Sequence, residues 1–196
     1  MTRLGPTTIG LRSLSLCWMV ALCIAPLAAA QEQRRTVRTF CYTLHYTGAR
    51  ISEVLALRPS KVDLAERAVI FRSLKKRANI VHRAVPVPDG YLDSLDMVHG
   101  LREARRAKDD VRLWPWTRQH AWRLVKAVMA AAGIDTHERY GTAKGLRHGF
   151  AIAALAKDVP LPVVQKIMGH ADIKTTAIYL DAIGLEQRDF TARMWD

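Results

Sequence analysis

Four short segments of the sequence combine residue types that could act on a phosphodiester. They are Thr47–Glu53, the basic run Lys75–Arg77, Lys144–Phe150 and Met168–Tyr179. Cleavage without a metal ion needs a nucleophile, a clamp for the charged phosphate and an acid for the leaving oxygen. A tyrosine oxygen can attack phosphorus and form a covalent ester, guanidinium groups can hold the non-bridging oxygens, and a lysine can protonate the departing oxygen.

Each segment is weak on its own. A single tyrosine is more often a core or surface residue, a basic turn is commonly exposed to solvent, and a histidine after a glycine can simply cap a helix. The segments therefore carry weight only together and in their order along the chain.

Taken in order, they resemble the catalytic domain of the tyrosine recombinases, also called phage-type integrases. That family has an Arg in a Thr-Gly-x-Arg-x-x-Glu segment, a Lys on a β-hairpin, His-x-x-Arg, Gly-His and then a Tyr. The chain shows this order over about Thr36–Ala182, with one substitution. The resemblance implies a site-specific recombinase that cleaves and rejoins DNA through a covalent 3′-phosphotyrosine, in DNA integration and mobile elements.

The resemblance also implies roles for individual residues. Tyr179 would be the nucleophile, Arg50 and Arg147 the phosphate clamp, and His170 a hydrogen-bonding partner of the phosphate. Glu53 follows Arg50 by three residues on the same helical face and is expected to orient Arg50 or a neighbour. Double-stranded DNA is the implied partner, bound by a homo-oligomer in a tetrameric synapse, with no cofactor and no metal.

The resemblance leaves alternative roles for the lysines. Lys75 is the implied general acid and Lys76 its rival, because a one-residue slip in hairpin register changes which side chain faces the site; Lys76 and Arg77 would also contact DNA. Lys144 stands where the family pattern has histidine. A protonated lysine is a poor base, so we expect Lys144 to act mainly as a third cation on the phosphate.

Hydrophobic periodicity predicts an α+β fold, mainly helical with a small antiparallel sheet. Two strands would form a hairpin with a charged turn, Arg67–Arg72 and Ile80–Pro88. The predicted helices are Thr36–Thr47, Ile51–Leu57, Asp89–Arg106, one capped by Thr117 and closed by Gly133, Lys144–Lys157, Leu161–Met168, Asp172–Leu180 and a short tail helix in Leu185–Asp196.

Aromatic residues are expected to pack inside. In the helix after Thr117, Trp122 is predicted to face the core with its aliphatic neighbours. Trp114 and Trp116 could stack on bases, but packing in the domain is favoured.

Composition agrees with a nucleic-acid partner. The 196 residues carry a formal net charge of +12 and a sequence pI of about 10.1, which favours nucleic acid first and an anionic membrane second. Cysteines occur only at positions 17, 23 and 41, and neither they nor the histidines show metal-ligand spacing. We expect a cytoplasmic, nucleoid-associated protein without stable membrane association.

Residues 1–34 are atypical, whereas 35–196 are predicted to form the catalytic domain. A basic start, an apolar run and Ala28–Ala30 look like a secretory signal, which leaves export as a minority alternative. Ala28–Ala30 could instead be the tail of a helix leading into the domain. The resemblance implies a preceding helical DNA-binding domain that these residues do not match, so an inactive DNA-binding remnant of an integrase stays open, as does strand relaxation by topoisomerase-like chemistry.

Overall fold

The computed structural model describes residues 26, 28–30, 34–72, 82–108, 110–136 and 141–183. Within these ranges the helices are α1 (Arg35–Thr47), α2 (Ile51–Leu55), α3 (Asp89–His99), α4 (Leu101–Arg106), α5 (Arg118–Ala131), α6 (Ala143–Leu155), α7 (Leu161–Met168) and α8 (Lys174–Ile183). The strands are β1 (Val62–Asp63), β2 (Ala68–Arg72) and β3 (His82–Pro86), and a 3₁₀ turn covers Pro59–Lys61. The fold is mainly helical with a small antiparallel sheet, as the periodicity predicts.

The sheet contains the predicted hairpin and one further strand. Its order is β1-β2-β3, all antiparallel. Val69 pairs with both Val62 and Val85. Strand β1 has only two residues, too few for an alternation that sequence reading can detect. The predicted charged turn, with Lys75, Lys76 and Arg77, lies outside the described residues.

The predicted helix Asp89–Arg106 is two helices. Gly100 adopts a left-handed conformation with φ 57° and separates α3 from α4, a geometry that glycine adopts without steric cost. Asp96 stabilises the break, because its carboxylate accepts hydrogen bonds from the backbone N–H and the guanidinium of Arg102.

Helix α1 lies at the centre of the main core. Phe40 and Leu44 are fully buried on it, in a core that also holds residues of the sheet, α3 and α5. Trp114 packs edge-on against Phe40 at 5.3 Å, and its indole N–H donates to the Thr36 carbonyl at 2.9 Å. Trp116 also contacts Phe40, so both tryptophans pack in the domain as expected.

Helix α5 begins as predicted but places one residue differently. The Thr117 hydroxyl accepts the His120 backbone N–H, which confirms the predicted cap. Trp122, in contrast, is 43% exposed. Ala121, Val125, Val128 and Met129 occupy the buried face. Trp122 lies about 100° round the helix from Ala121, at the border of this face, and Lys126 Nζ lies 4.8 Å from its ring centroid.

A second, smaller apolar cluster joins α6, α7 and α8. It contains Ile152, Leu155, Val164, Met168 and Tyr179. This cluster fixes the helix that carries Tyr179 against the helix that carries Arg147.

The two chain ends are described only in part. Residues 28–30 are helical and Ala30 is fully buried in the main core, which agrees with a helix leading into the domain. The predicted tail helix Leu185–Asp196 lies outside the described residues. In the part of the chain that is described, no helix is long and apolar enough to cross a membrane.

Candidate active site

The cleft beside α2, α5, α6 and α8 brings together most of the residues singled out in the sequence. It has a volume of about 620 Å³ and is lined by Arg50, Lys144, Arg147, His170 and Tyr179, among others. Glu53 lies behind the cleft wall with a fully buried side chain. Lys75, Lys76 and Arg77 lie outside the described residues.

Arg50 enters the cleft from a tight turn between α1 and α2. Gly48 ends α1 with φ 56°, and a Cβ at this position would lie 2.5 Å from the Phe150 ring. Arg50 is the N-cap residue of α2, and its backbone N–H donates to Glu53 at 2.8 Å. The Thr-Gly-x-Arg-x-x-Glu segment is therefore one local unit that both turns the chain and orients Arg50.

Glu53 is shared between two arginines. Its carboxylate accepts from Arg50 Nη1 at 3.0 Å and from Arg83 Nη2 at 2.7 Å. Burial alone would raise the pKa of Glu53, but the hydrogen bond and charge of Arg83 and the contacts of Arg50 bring this pKa below its usual value. Glu53 is therefore an ionised support and not a proton donor at neutral pH.

Arg147 projects from α6 and is only 8% exposed. Its Nη1 donates to the Gly48 carbonyl at 2.6 Å and its Nη2 to the Met168 carbonyl at 2.7 Å. Burial, followed by the positive charge of Arg50, lowers the pKa of Arg147 to about 10. The guanidinium is thus still protonated at neutral pH and is held by two backbone oxygens.

Histidine 170 follows a glycine turn at the end of α7. Gly169 has φ 65° and ends the helix. The His170 Nδ1 lies 2.8 Å from the hydroxyl of Thr176, which is fully buried on α8. This hydrogen bond ties His170 to the helix that carries Tyr179, one turn before it.

Tyr179 is 6% exposed and lies at the cleft wall. Its ring packs against the ring of His148 with 5.5 Å between centroids. Burial raises the pKa of Tyr179, and the positive charges of Arg147 and Arg50 offset part of this increase. The hydroxyl is therefore protonated at neutral pH and needs a proton acceptor before it can act as a nucleophile.

The structure also places residues at the site that the sequence reading did not select. Arg118 and Trp122 line the cleft from α5. Arg83 is buried behind Glu53. Arg83 and Val85 lie two residues apart on the same inward-facing side of β3, but the strand pattern does not show which residue a buried arginine there would contact.

No group of three or more His, Cys, Asp or Glu side chains that could hold a metal occurs among the described residues. The cations at the cleft instead suit an anionic group, and their two buried or half-buried guanidiniums suit a phosphate.

Comparison with known proteins gives consistent matches. The model of the phage integrase family matches residues 24–183. The tyrosine recombinase XerA of Thermococcus kodakarensis is 28% identical over 162 residues, which cover 78% of this chain and 53% of that protein. The chain thus spans about half the length of this curated relative.

Two solved structures of recombinases are similar to this chain in fold. A crystal structure of XerA recombinase superposes with a TM-score of 0.67 at 25% identity, covering 86% of this chain and 62% of the other. The XerH recombinase bound to palindromic difH substrate, a post-cleavage complex, gives a TM-score of 0.70 at 22% identity, covering 89% and 51%.

Proposed function

This chain belongs to the phage integrase family, and from that premise we propose that it cleaves and rejoins DNA through a covalent bond between Tyr179 and a 3′ phosphate. The observation that carries the proposal is the single cleft lined by Arg50, Lys144, Arg147, His170 and Tyr179. The outcome we propose is site-specific recombination, which includes DNA integration.

Arg50 and Arg147 clamp the scissile phosphate. An arginine has five N–H donors in a fixed plane. The backbone contacts of Arg147 use one donor on each terminal nitrogen, so this guanidinium can still donate to a non-bridging oxygen. Preorganised cations stabilise the charge that accumulates on the phosphate in the transition state.

Tyr179 then attacks the phosphorus. The bond from Oη to phosphorus forms as the bond from phosphorus to the 5′ oxygen breaks, and the tyrosine proton passes to solvent water, which later reprotonates the general acid. Lys75 protonates the departing 5′ oxygen, with Lys76 as its rival. The ester preserves the energy of the broken bond, so attack by a 5′ hydroxyl on the phosphotyrosine rejoins the strand without ATP, cofactor or metal.

His170 hydrogen-bonds the phosphate, and Lys144 adds a third cation. Lys144 is exposed on the first turn of α6, at the position where the family pattern has a histidine. If Lys144→Ala cleaved DNA at the rate of the wild-type protein, this role would be wrong.

The substrate is double-stranded DNA, and the active assembly is a homo-oligomer that pairs two sites in a tetrameric synapse. The XerH structure that is similar in fold is described as bound to its difH substrate. A net charge of +12 supports strong phosphate contacts, which make binding sensitive to salt. Recombination of chromosomal DNA would require the protein to be in the cytoplasm, associated with the nucleoid.

The proposal is tested with a nicked, labelled duplex, which traps the covalent intermediate because the cleaved end diffuses away. A denaturation-resistant adduct with the wild-type chain, absent in Tyr179→Phe, supports the proposal. Salt-sensitive binding without an adduct on several candidate sites would favour a DNA-binding remnant. A processed protein recovered outside the cytoplasm would favour the exported alternative.

A further inference from the structure

Arg83 is a buried cation outside the cleft with several contacts. It lies at an inward-facing position of β3 and its side chain is 5% exposed. Its two terminal nitrogens donate to the two carboxylate oxygens of Glu53 at 2.7 and 3.2 Å. Its Nε donates to the carbonyl of Ile167 at 2.7 Å, and its guanidinium carbon lies 5.1 Å from the Phe71 ring centroid.

One end of this arrangement reaches Arg50. The Glu53 carboxylate, which accepts hydrogen bonds from Arg83, also accepts hydrogen bonds from the backbone N–H and the Nη1 of Arg50. Because Arg83 fixes both oxygens of Glu53, it fixes the acceptor that directs the Arg50 side chain.

The other end reaches His170. Ile167 is in the last turn of α7, and its carbonyl oxygen accepts from Arg83 three residues before His170. Between them, Gly169 has φ 65°, and a Cβ there would lie 3.0 Å from Arg83 Nη1. The turn that presents His170 is thus packed directly on the Arg83 guanidinium.

We propose that Arg83 is a positioning residue that sets the directions of Arg50 and His170 together, through its buried ion pair with Glu53 and its hydrogen bond to Ile167. The effect of Arg83 on catalysis rests on the proposed function, whereas its contacts with Glu53 and Ile167 do not. It assigns β3 a part in building the phosphate site that is separate from any lysine on the hairpin.

The geometry requires arginine. The planar fork supplies two parallel bonds to a carboxylate, while Nε points elsewhere. A lysine keeps the charge but is a point donor that cannot span both Glu53 oxygens and the Ile167 carbonyl in this way.

The test measures single-turnover adduct formation on a nicked duplex by the full chain and its Arg83→Met and Arg83→Lys variants. Arg102→Met is the matched control, because Arg102 forms an exposed ion pair with Asp96 away from the cleft. We expect Arg83→Met to slow the saturated rate by roughly 10- to 100-fold. The half-saturating protein concentration should change by less than about threefold, since phosphate binding by the exposed cations is retained. Arg83→Lys should be intermediate, and Arg102→Met should match the wild type.

A pH profile separates positioning from general loss of structure. Among the described residues, Glu53 interacts electrostatically with Arg50 and Arg147 besides Arg83. Arg58, Lys61, Arg72 and His82 line a pocket on its other side. Without the hydrogen bonds and charge of Arg83, burial should raise the pKa of the carboxylate. The rate of adduct formation by Arg83→Met should therefore decrease further as the pH falls below neutral, because Glu53 becomes protonated. The wild-type rate should not show this additional decrease. A rate that falls only in proportion to the folded fraction, with an unchanged pH profile, would overturn the proposal.

A second readout needs no turnover. We would follow the ¹⁵N relaxation of the Arg50 Nε–H and the ring signals of His170 by NMR, with Arg50→Lys and His170→Asn for assignment. Arg83→Met should increase the mobility of Arg50 and shift His170, while Arg102→Met should change neither. If both signals stay unchanged in Arg83→Met, the proposal is wrong. If the wild type forms no adduct but Arg83→Met still increases the mobility of Arg50, the proposed function fails while the positioning role stands.

Discussion

Arg147 donates from Nη1 to the carbonyl oxygen of Gly48 at 2.6 Å, and Gly48 lies two residues before Arg50 in the sequence. This hydrogen bond joins the helix that carries one guanidinium to the turn that carries the other. The spacing of the two cations is therefore set by backbone contacts, although their charges repel each other.

Arg147→Lys should lose both stability and cleavage. A lysine cannot donate in a fixed plane to both the Gly48 and the Met168 carbonyls, so we expect the free energy of unfolding to decrease by about 2 kcal/mol. Denaturant unfolding measures this change, and adduct formation measures the loss of the clamp. Lys144→Ala is the control for stability, because its exposed side chain should change the unfolding free energy by less than about 0.5 kcal/mol. Equal stability of Arg147→Lys and the wild type would show that the backbone contacts contribute little.

Gly48→Ala should be strongly destabilising. Alanine would have to adopt φ 56° with its Cβ 2.5 Å from the Phe150 ring, and we expect a loss of about 2 kcal/mol or more in unfolding free energy. Gly90→Ala is the matched control, because an added Cβ there meets no atom within 4 Å other than those of its own helix backbone and chain neighbours. Thermal and urea unfolding should leave Gly90→Ala at or above the wild type; similar losses in the two variants would contradict this explanation.

Sequence periodicity predicted most helices because each buries one regular face. The prediction for Leu161–Met168 agrees with the structure at both ends. It was wrong for Asp89–Arg106, because the apolar pattern continues across Gly100 and only the backbone conformation shows the break. It was also wrong for Trp122, which sits at the border of the buried face, where a small rotation of the helix decides between core and cleft.

The site was predictable where chemistry is confined to short motifs, as in the segment from Thr47 to Glu53. Arg83 was not, because its partners Glu53 and Ile167 are 30 and 84 residues away. Such a contact depends on how β3 packs against α2 and α7, which spacing along the chain does not encode.

Cys41 should be unreactive in the folded protein. Burial raises the pKa of the Cys41 thiol to about 12, and the thiolate is the reactive species. In a Cys17→Ser, Cys23→Ser background, a disulfide reagent at about pH 8 should react roughly 100-fold more slowly with the native chain than with the urea-unfolded chain. Comparable rates would show that Cys41 is accessible.

The raised pKa of the Cys41 thiol also predicts how the free energy of unfolding changes with pH in alkali. The unfolded thiol loses its proton near its ordinary pKa of 9.0, whereas the folded thiol keeps it to about 12. The unfolded state thus binds fewer protons in this window, and stability should decrease as the pH rises through it. In the same background, a further Cys41→Ala substitution should reduce this pH dependence.

Trp122→Ala should weaken DNA binding with little effect on folding. Its exposed ring lines the cleft beside Arg118, and loss of aromatic contacts to nucleic acid should reduce affinity by roughly 3- to 10-fold. Anisotropy of a labelled duplex at fixed salt measures the effect. Met97→Ala is the control, because Met97 is an exposed apolar residue that is not part of the cleft wall. Equal affinities of the two variants would exclude Trp122 as a DNA contact.

The most direct test of the central claim locates the covalent bond. The adduct formed on a nicked duplex is digested with nuclease and trypsin, and the modified peptide is identified by mass spectrometry. Tryptic peptide 175–188 contains Tyr179 as its single tyrosine, so a nucleotide on this peptide, absent in Tyr179→Phe, is the result we predict. A nucleotide on any other peptide, or an adduct that persists in Tyr179→Phe, would contradict Tyr179 as the nucleophile.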